Sequence, residues 1–117
     1  GRRCYNRRMT FNEYQAAAKR TAIARGTDLE VYERVLGLVG ETGEIAEKFK
    51  KNIRDQGADL SKLDKADMAK ELGDVLWYLA VLADRLDIPL QDIADKNIAK
   101  LASRQQRGTL SGSGDNR

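Results

Sequence analysis

Two short segments of this 117-residue chain limit its fold more than any other feature. Glu41-Thr42-Gly43-Glu44 and Glu71-Leu72-Gly73-Asp74 share the pattern Glu-x-Gly-acid, and both lie in stretches with the apolar spacing of a helix. They sit at nearly equal distances on either side of a break at Gln56-Gly57-Ala58. An i, i+3 spacing puts both acids of a pair on one helix face. If the two stretches fold back as an antiparallel hairpin, the pairs are nearly level, offset by about 1.5 Å of rise. Four carboxylates then converge between two helices. The neighbouring glycines need a reason, because each one inside a helix costs about 1 kcal/mol relative to alanine. Gly37, Gly40 and Gly43 fall in the run GLVGETGE. Small residues there are expected to let the backbones approach and to leave room for ions and substrate.

The remaining pattern is all helical. Phe11, Tyr14, Ala18 and Ala22 space a first helix over 10–25, with Gly26 as its stop. Thr27 or Asp28 caps a second, striped by Leu29, Tyr32, Leu36, Val39, Gly43, Ala46, Phe49 and Ile53 and ending near Asp55. Ser61 and Asp64 resemble a capping box. A third helix follows with Leu63, Ala66, Leu72, Val75, Leu76, Leu79, Leu82 and Leu86. Pro89 suits the first turn of a fourth, which carries Leu90, Ile93, Ala94, Asn97 and Leu101. The tail from Gly108 is too rich in glycine and serine to be helical. The expectation is an all-α, four-helix, bundle-like domain with antiparallel long helices 2 and 3 and a flexible C-terminal tail.

Composition narrows the chemistry. The chain has no histidine and one cysteine, Cys4. Ser/His and Cys/His catalysis, histidine metal sites, cysteine zinc sites and an internal disulfide are all excluded. Any metal ligands must be oxygens, which points to Mg, Mn or Ca. The net charge of +3 misleads, because Arg2, Arg3, Arg7 and Arg8 supply four positive charges before Met9. The 17 lysines and arginines that remain face 18 acids, which weakens a nucleic-acid reading. Met9 followed by TFNEY reads as a natural start. Residues 1–8 are then a disordered or appended tail, and residues 9–117 are one domain. No apolar run nears the roughly 20 residues that span a bilayer and no hydrophobic signal segment is evident. The expected location is cytoplasmic.

Four carboxylates in a partly desolvated groove repel one another unless a hard divalent cation balances them. Glu41, Glu44, Glu71 and Asp74 are therefore the candidate metal ligands. One magnesium would still leave a negative surplus, so a phosphorylated ligand needs further cations. Lys48 and Lys51 continue the acidic stripe of helix 2. Lys96, Lys100 and Arg104 lie along helix 4, with Arg107 and Arg117 beyond. Polyphosphate is the obvious ligand class. Asn97, on the apolar side of helix 4, should be hydrogen-bonded to core or ligand. Trp77 and Tyr78 follow Asp74 by about a turn; Trp77 is a core residue or a stacking platform for a base. Against the metal reading stands the ordinary one, in which Glu44–Lys48 and Glu47–Lys51 are solvated i, i+4 pairs.

GLVGETGEIAEK followed by KELGDVLWYLA resembles the Glu-x-x-Glu … Glu-x-x-Asp signature of the MazG-like nucleotide pyrophosphohydrolases. These belong to the all-α NTP pyrophosphatase superfamily, with the dimeric dUTPases and phosphoribosyl-ATP pyrophosphatases. The ending NIAKLASRQQRGTLSGSGDNR is similar to that family's tail, and the likeness covers about residues 9–117. The longer family form has a further acid just before the first pair, where this chain has Gly40. The resemblance implies an enzyme hydrolysing a nucleoside triphosphate between the α- and β-phosphates to a monophosphate and pyrophosphate, for nucleotide-pool control or house-cleaning. It implies Glu41, Glu44, Glu71 and Asp74 as Mg²⁺ ligands, Mn²⁺ being an alternative, with Glu44 as the guess for general base. Lys48, Lys51, Asn97, Lys100, Arg104, Trp77 and Arg117 become candidates for holding substrate, with Ser113, Asp115 and Arg117 closing over it. It also implies a homodimer or homotetramer, with neither nucleic acid nor membrane as partner. The competing readings are a non-catalytic helical interaction module, a nucleic-acid-binding helical protein, and a base-specialised relative resembling a dUTPase or dCTPase.

Overall fold

The structure is a computed structural model that describes residues 8–108 and 111–115. Among the described residues four α-helices follow one another: α1 (Phe11–Thr21), α2 (Leu29–Gln56), α3 (Lys65–Arg85) and α4 (Leu90–Arg107), with a 3₁₀ turn at Leu60–Lys62 before α3. No strand occurs among the described residues. The expected all-α class is therefore observed, with element ends displaced by local chemistry.

The first helix is a clear case. Thr10 and Glu13 form a reciprocal capping box at its start. It stops at Thr21, short of Gly26, because Ala22 is extended. Beyond it, the Glu30 carboxylate accepts the backbone N–H groups of Arg25 (2.8 Å) and Gly26 (3.3 Å). A helix could not offer those donors to a side chain. At the other end of α2, Gly57 and Ala58 both take left-handed conformations, and Ala58 N–H closes back onto the Asn52 carbonyl, ending the helix in a Schellman-type cap. The buried Asn52 amide donates to Gln56 and to the Asp59 carbonyl, which fixes the turn. Ser61 does not cap α3. Its N–H and hydroxyl are taken by Asp59, and Asp64 caps α3 instead, accepting from Asp67 N–H at 3.1 Å. Leu63 is thus left outside the helix.

The α2–α3 pair is antiparallel. Glu30 faces Arg85, Gly37 faces Tyr78 and Lys48 faces Asp67, so equal steps forward on one helix match equal steps back on the other. Helix α1 crosses α3, and Gln15 ties them to the last corner. Its amide donates to the carbonyls of Ala80 and Ile88 while its oxygen accepts from Leu90 N–H. The buried core is small: Ala18, Ala80, Val81 and Leu90, with Tyr14, Trp77, Leu79 and Ile93 packed around them.

The α2 stripe turns outward. Leu29, Tyr32, Leu36, Val39 and Ile53 are all more than 60 % exposed, while Glu30, Arg34, Glu41, Lys48 and Asn52 belong to the more sheltered side. Helix α4 touches α1 and α3 but not α2, and Ile98 and Leu101 on it are exposed. The radius of gyration is 17.6 Å, against about 13 Å for a compact chain of this length.

The glycines also depart from expectation. A Cβ at Gly40, Gly43 or Gly73 would meet nothing within 4 Å, so none of them is needed for α2 and α3 to approach. Gly37 is different, because a Cβ there would overlap the Tyr78 ring. Tyr78 lies on bare helix backbone one turn before Glu41, and this contact sets how closely the two helices lie beside the acids. Gly37→Ala gains about 1 kcal/mol of helix propensity but must displace the ring, which costs about 1–3 kcal/mol. Gly40→Ala carries the gain without the clash. In urea unfolding, Gly37→Ala should be the less stable of the two; equal stability would contradict the contact.

Candidate metal centre

The antiparallel register brings the acids together. Glu41 and Glu44 from α2 and Glu71 from α3 each present one carboxylate oxygen, and these atoms all lie within 4.8 Å of one another. The expected fourth acid, Asp74, one turn beyond Glu71, is exposed and not part of this group, although its charge acts on Glu41. Glu44 is exposed, while Glu41 and Glu71 are sheltered. One oxygen of each sheltered acid, Glu41 Oε2 and Glu71 Oε2, is buried with no hydrogen-bond partner. An orphaned carboxylate oxygen of this kind is costly in a fold.

The electrostatics agree. Burial is the main influence raising the Glu41 carboxyl above its ordinary value, followed by the charges of Glu44 and Asp74, a hydrogen bond with Glu44 and the charge of Glu71. The chain therefore holds a proton at Glu41 more tightly than a free glutamate would. A hard cation with oxygen ligands would satisfy the orphaned atoms and replace that proton. The donor set is carboxylate only, which fits Mg²⁺ or Mn²⁺.

A second acid cluster shows the contrast. Glu30 is 5 % exposed but fully partnered. Arg25 N–H, Arg85, Gly26 N–H and Arg34 hold its carboxyl below the usual range. It floors a cleft of about 280 Å³ whose wall includes Lys19, Arg34, Asp84 and Arg85, about 16 Å along α2 from Glu41. Its carboxylate is balanced by the protein itself, and the atoms beside it that lack a hydrogen bond, Arg34 Nε and Arg85 Nε, are donors that no cation would satisfy, so it ties the 22–28 segment to the helices.

The other expected site residues divide. Lys48 lies at the acids, but its ammonium is bonded to Asp67 and stands 3.4 Å from Glu71 Oε1. It does not form the i, i+4 pair with Glu44. Glu47 likewise pairs with Lys50 at 3.9 Å and not with Lys51. Lys51 is exposed, and its charge acts on Asp55. Trp77 donates its indole N–H to Thr21 Oγ1 at 2.7 Å, lies under the Arg34 guanidinium and meets Tyr78 edge-on. It packs towards α1, as its core reading requires. Asn97 is exposed beside Ile93, Lys96 and Lys100, so no core contact holds it. Lys100 and the buried Arg104 both bind Asp115, the first at 3.1 Å, and Arg104 also donates to the Asp115 carbonyl. The tail thus folds back on α4, and within one chain these cations do not meet the α2 acids. Arg117 lies outside the described residues, as do residues 1–7. Asp67 and Tyr14 belong near the site, Tyr14 through the influence of Asp74 on its hydroxyl, which comes second to burial. Asp67 is one turn before Glu71, a spacing readable in the sequence.

The profile of the MazG nucleotide pyrophosphohydrolase domain matches residues 30–109, which takes in both acid pairs. The chain belongs to this family. It is 47 % identical over 114 residues to the "Gene 37 protein" of Mycobacterium phage L5, covering 93 % of this chain and all of that protein. It is 33 % identical over 69 residues to the "Uncharacterized protein YpjD" of Bacillus subtilis (strain 168), covering 59 % of this chain and 61 % of that one. No solved structure matches it.

Glu41 gives a test of the charge balance. Its raised pKa means that the folded, metal-free protein binds this proton more tightly than the unfolded chain. Between the ordinary glutamate value and the raised one, the Glu41 contribution to stability therefore falls as pH rises. In EDTA, Glu41→Gln should melt above wild type near pH 7, and the gap should close towards about pH 5. Mg²⁺ should close it at neutral pH by stabilising wild type. A gap that ignores both pH and Mg²⁺ would contradict the account.

Proposed function

We propose that the protein is a Mg²⁺-dependent nucleoside triphosphate pyrophosphohydrolase that cleaves between the α- and β-phosphates. The observation that carries this is the convergence of Glu41, Glu44 and Glu71 with two buried carboxylate oxygens left unpartnered. The family's nucleotide chemistry supports the reading. Glu41, Glu44, Glu71 and Asp74 would hold the cation, with Mn²⁺ able to replace Mg²⁺. When bound, such a cation would supply positive charge to the phosphate oxygens and lower the pKa of a bound water. Glu44, the exposed acid of the group, would take a proton from the attacking water. The water oxygen bonds to the α-phosphorus, the bond from that phosphorus to its bridging oxygen breaks, and pyrophosphate leaves with the electron pair. Sheltered Glu41 and Glu71 keep the groove geometry fixed.

Substrate needs more positive charge than one α2–α3 groove offers. Lys96, Lys100, Arg104 and Arg107 stand on an arm that does not reach α2 of its own chain. The outward stripe of α2 and exposed Ile98 and Leu101 give an apolar surface that a second copy would bury. We therefore assign a homo-oligomer, with α4 of one copy and the groove of another as the substrate-binding unit. Light scattering tests the assembly; a monomer at all micromolar concentrations would contradict it.

The activity test is incubation with each canonical NTP and dNTP in Mg²⁺ or EDTA, with the products separated by chromatography. Monophosphate plus pyrophosphate, lost in EDTA, is expected. Glu71→Gln and Asp74→Asn should each reduce turnover by more than about 100-fold, beyond the usual effect of outer-shell changes, with helical circular dichroism unchanged. Unaltered turnover in both would remove the site from the mechanism.

A further inference from the structure

This inference rests on the metal centre proposed above and concerns an acid outside it. Asp67 lies on α3 one turn before Glu71, on the side facing α2, and its carboxylate holds the Lys48 ammonium. Lys48 stands one turn after Glu44 on α2. Its Nζ is also 3.4 Å from Glu71 Oε1, while Glu71 Oε2 is the buried oxygen without a partner. Glu71 thus turns Oε1 towards Lys48 and keeps Oε2 buried without a partner, and one of its oxygens belongs to the acid group with Glu41 and Glu44.

Two consequences follow from the chemistry. A lysine ammonium on a flexible stem beside three carboxylates is a tethered competitor for a cation. Left free, it would move among Glu41, Glu44 and Glu71 and neutralise them. The same ammonium, held to one side, fixes the orientation of Glu71 as an outer partner does for a metal ligand. Which of these happens depends on what holds it. Asp67 serves here: its side-chain contact is with Lys48, it is not a member of the three-acid group, and it stands opposite Lys48 on α3, one turn from Glu71.

We propose that Asp67 is a positioning residue. It draws Lys48 away from Glu41 and Glu44 and against Glu71 Oε1, and by doing so sets the affinity of the site for a divalent cation. Lys48 is then a structural partner of Glu71 before it is a phosphate ligand. Asp67 touches neither cation nor substrate.

The test is Mn²⁺ binding to the full chain, read by the loss of the free-ion electron paramagnetic resonance signal, without nucleotide and without reference to turnover. Wild type, Asp67→Asn, Lys48→Met and the double variant are compared, each checked by circular dichroism. Asp67→Ala is carried as a second variant in case Asn keeps the lysine. Removing Asp67 should weaken Mn²⁺ binding about tenfold, in the range of other outer-shell partners. In the Lys48→Met background the same change should cost no more than about twofold, because there is no ammonium left to misplace. Wild-type affinity in both Asp67 variants would overturn the proposal. So would an equal loss with and without Lys48, which would mean that Asp67 acts through its own charge. Wild type that binds no Mn²⁺ would instead remove the metal centre itself, a result visible before any variant is compared.

Discussion

Like charge held close together and partly out of water is the condition around which this protein is built. Helices α2 and α3 could have met through apolar residues alone. The sheltered sides of both helices are mixed: Glu30, Arg34, Glu41, Lys48 and Asn52 with Leu38 and Ile45 on α2, and Asp67, Glu71, Tyr78 and Arg85 with Met68, Val75 and Leu82 on α3. Towards one end the carboxylate is satisfied, with Glu30 between two arginines and two backbone N–H groups. Near the middle the carboxylates are not satisfied. Glu41 and Glu71 each keep a buried oxygen without a partner, and a raised carboxyl at Glu41 reports the strain of that arrangement. Natural folds keep such groups where a ligand later satisfies them.

A helix–helix seam this rich in charge has a consequence on the outside. If α2 turns its charges inward, its apolar stripe must face out, and the core left to the single chain is a handful of small side chains around Ala80 and Leu90. The same inversion leaves α4 as an arm that carries its cations away from the α2 acids. The Asp115 clasp on Lys100 and Arg104 keeps those cations paired meanwhile. The charge-rich groove and the apolar exterior are two views of one helix face assignment, and a second copy would resolve both.

Much of this was legible in the sequence because it depends on spacing. Helix number, the turn at Gly57 and the level placement of the acid pairs all follow from periodicity and symmetry about one break. The acid pairs were expected between α2 and α3, but the consequence of that arrangement, an α2 apolar stripe left exposed on the single chain, was not legible from periodicity, which treats each apolar stripe as core. The glycines misled for the same reason: Gly37 meets Tyr78, but Gly40, Gly43 and Gly73 face open space, and spacing alone treats them alike. Lys48 was read by its neighbours on α2, Glu44 above all, whereas its partners are Asp67 and Glu71 across the groove. Side-chain choices between elements depend on register, and register is a property of the pair. The end of α1 depended in turn on Glu30, a residue in the next helix.

The central claim is that the α2–α3 groove is a divalent-cation site. Diffraction from crystals grown with Mn²⁺, with anomalous maps, tests it most directly. The account predicts an anomalous peak coordinated by Glu41, Glu44 and Glu71, with Asp74 beside it and Lys48 still held by Asp67. A peak elsewhere, or acids that remain paired only with protein groups in saturating Mn²⁺, would contradict it.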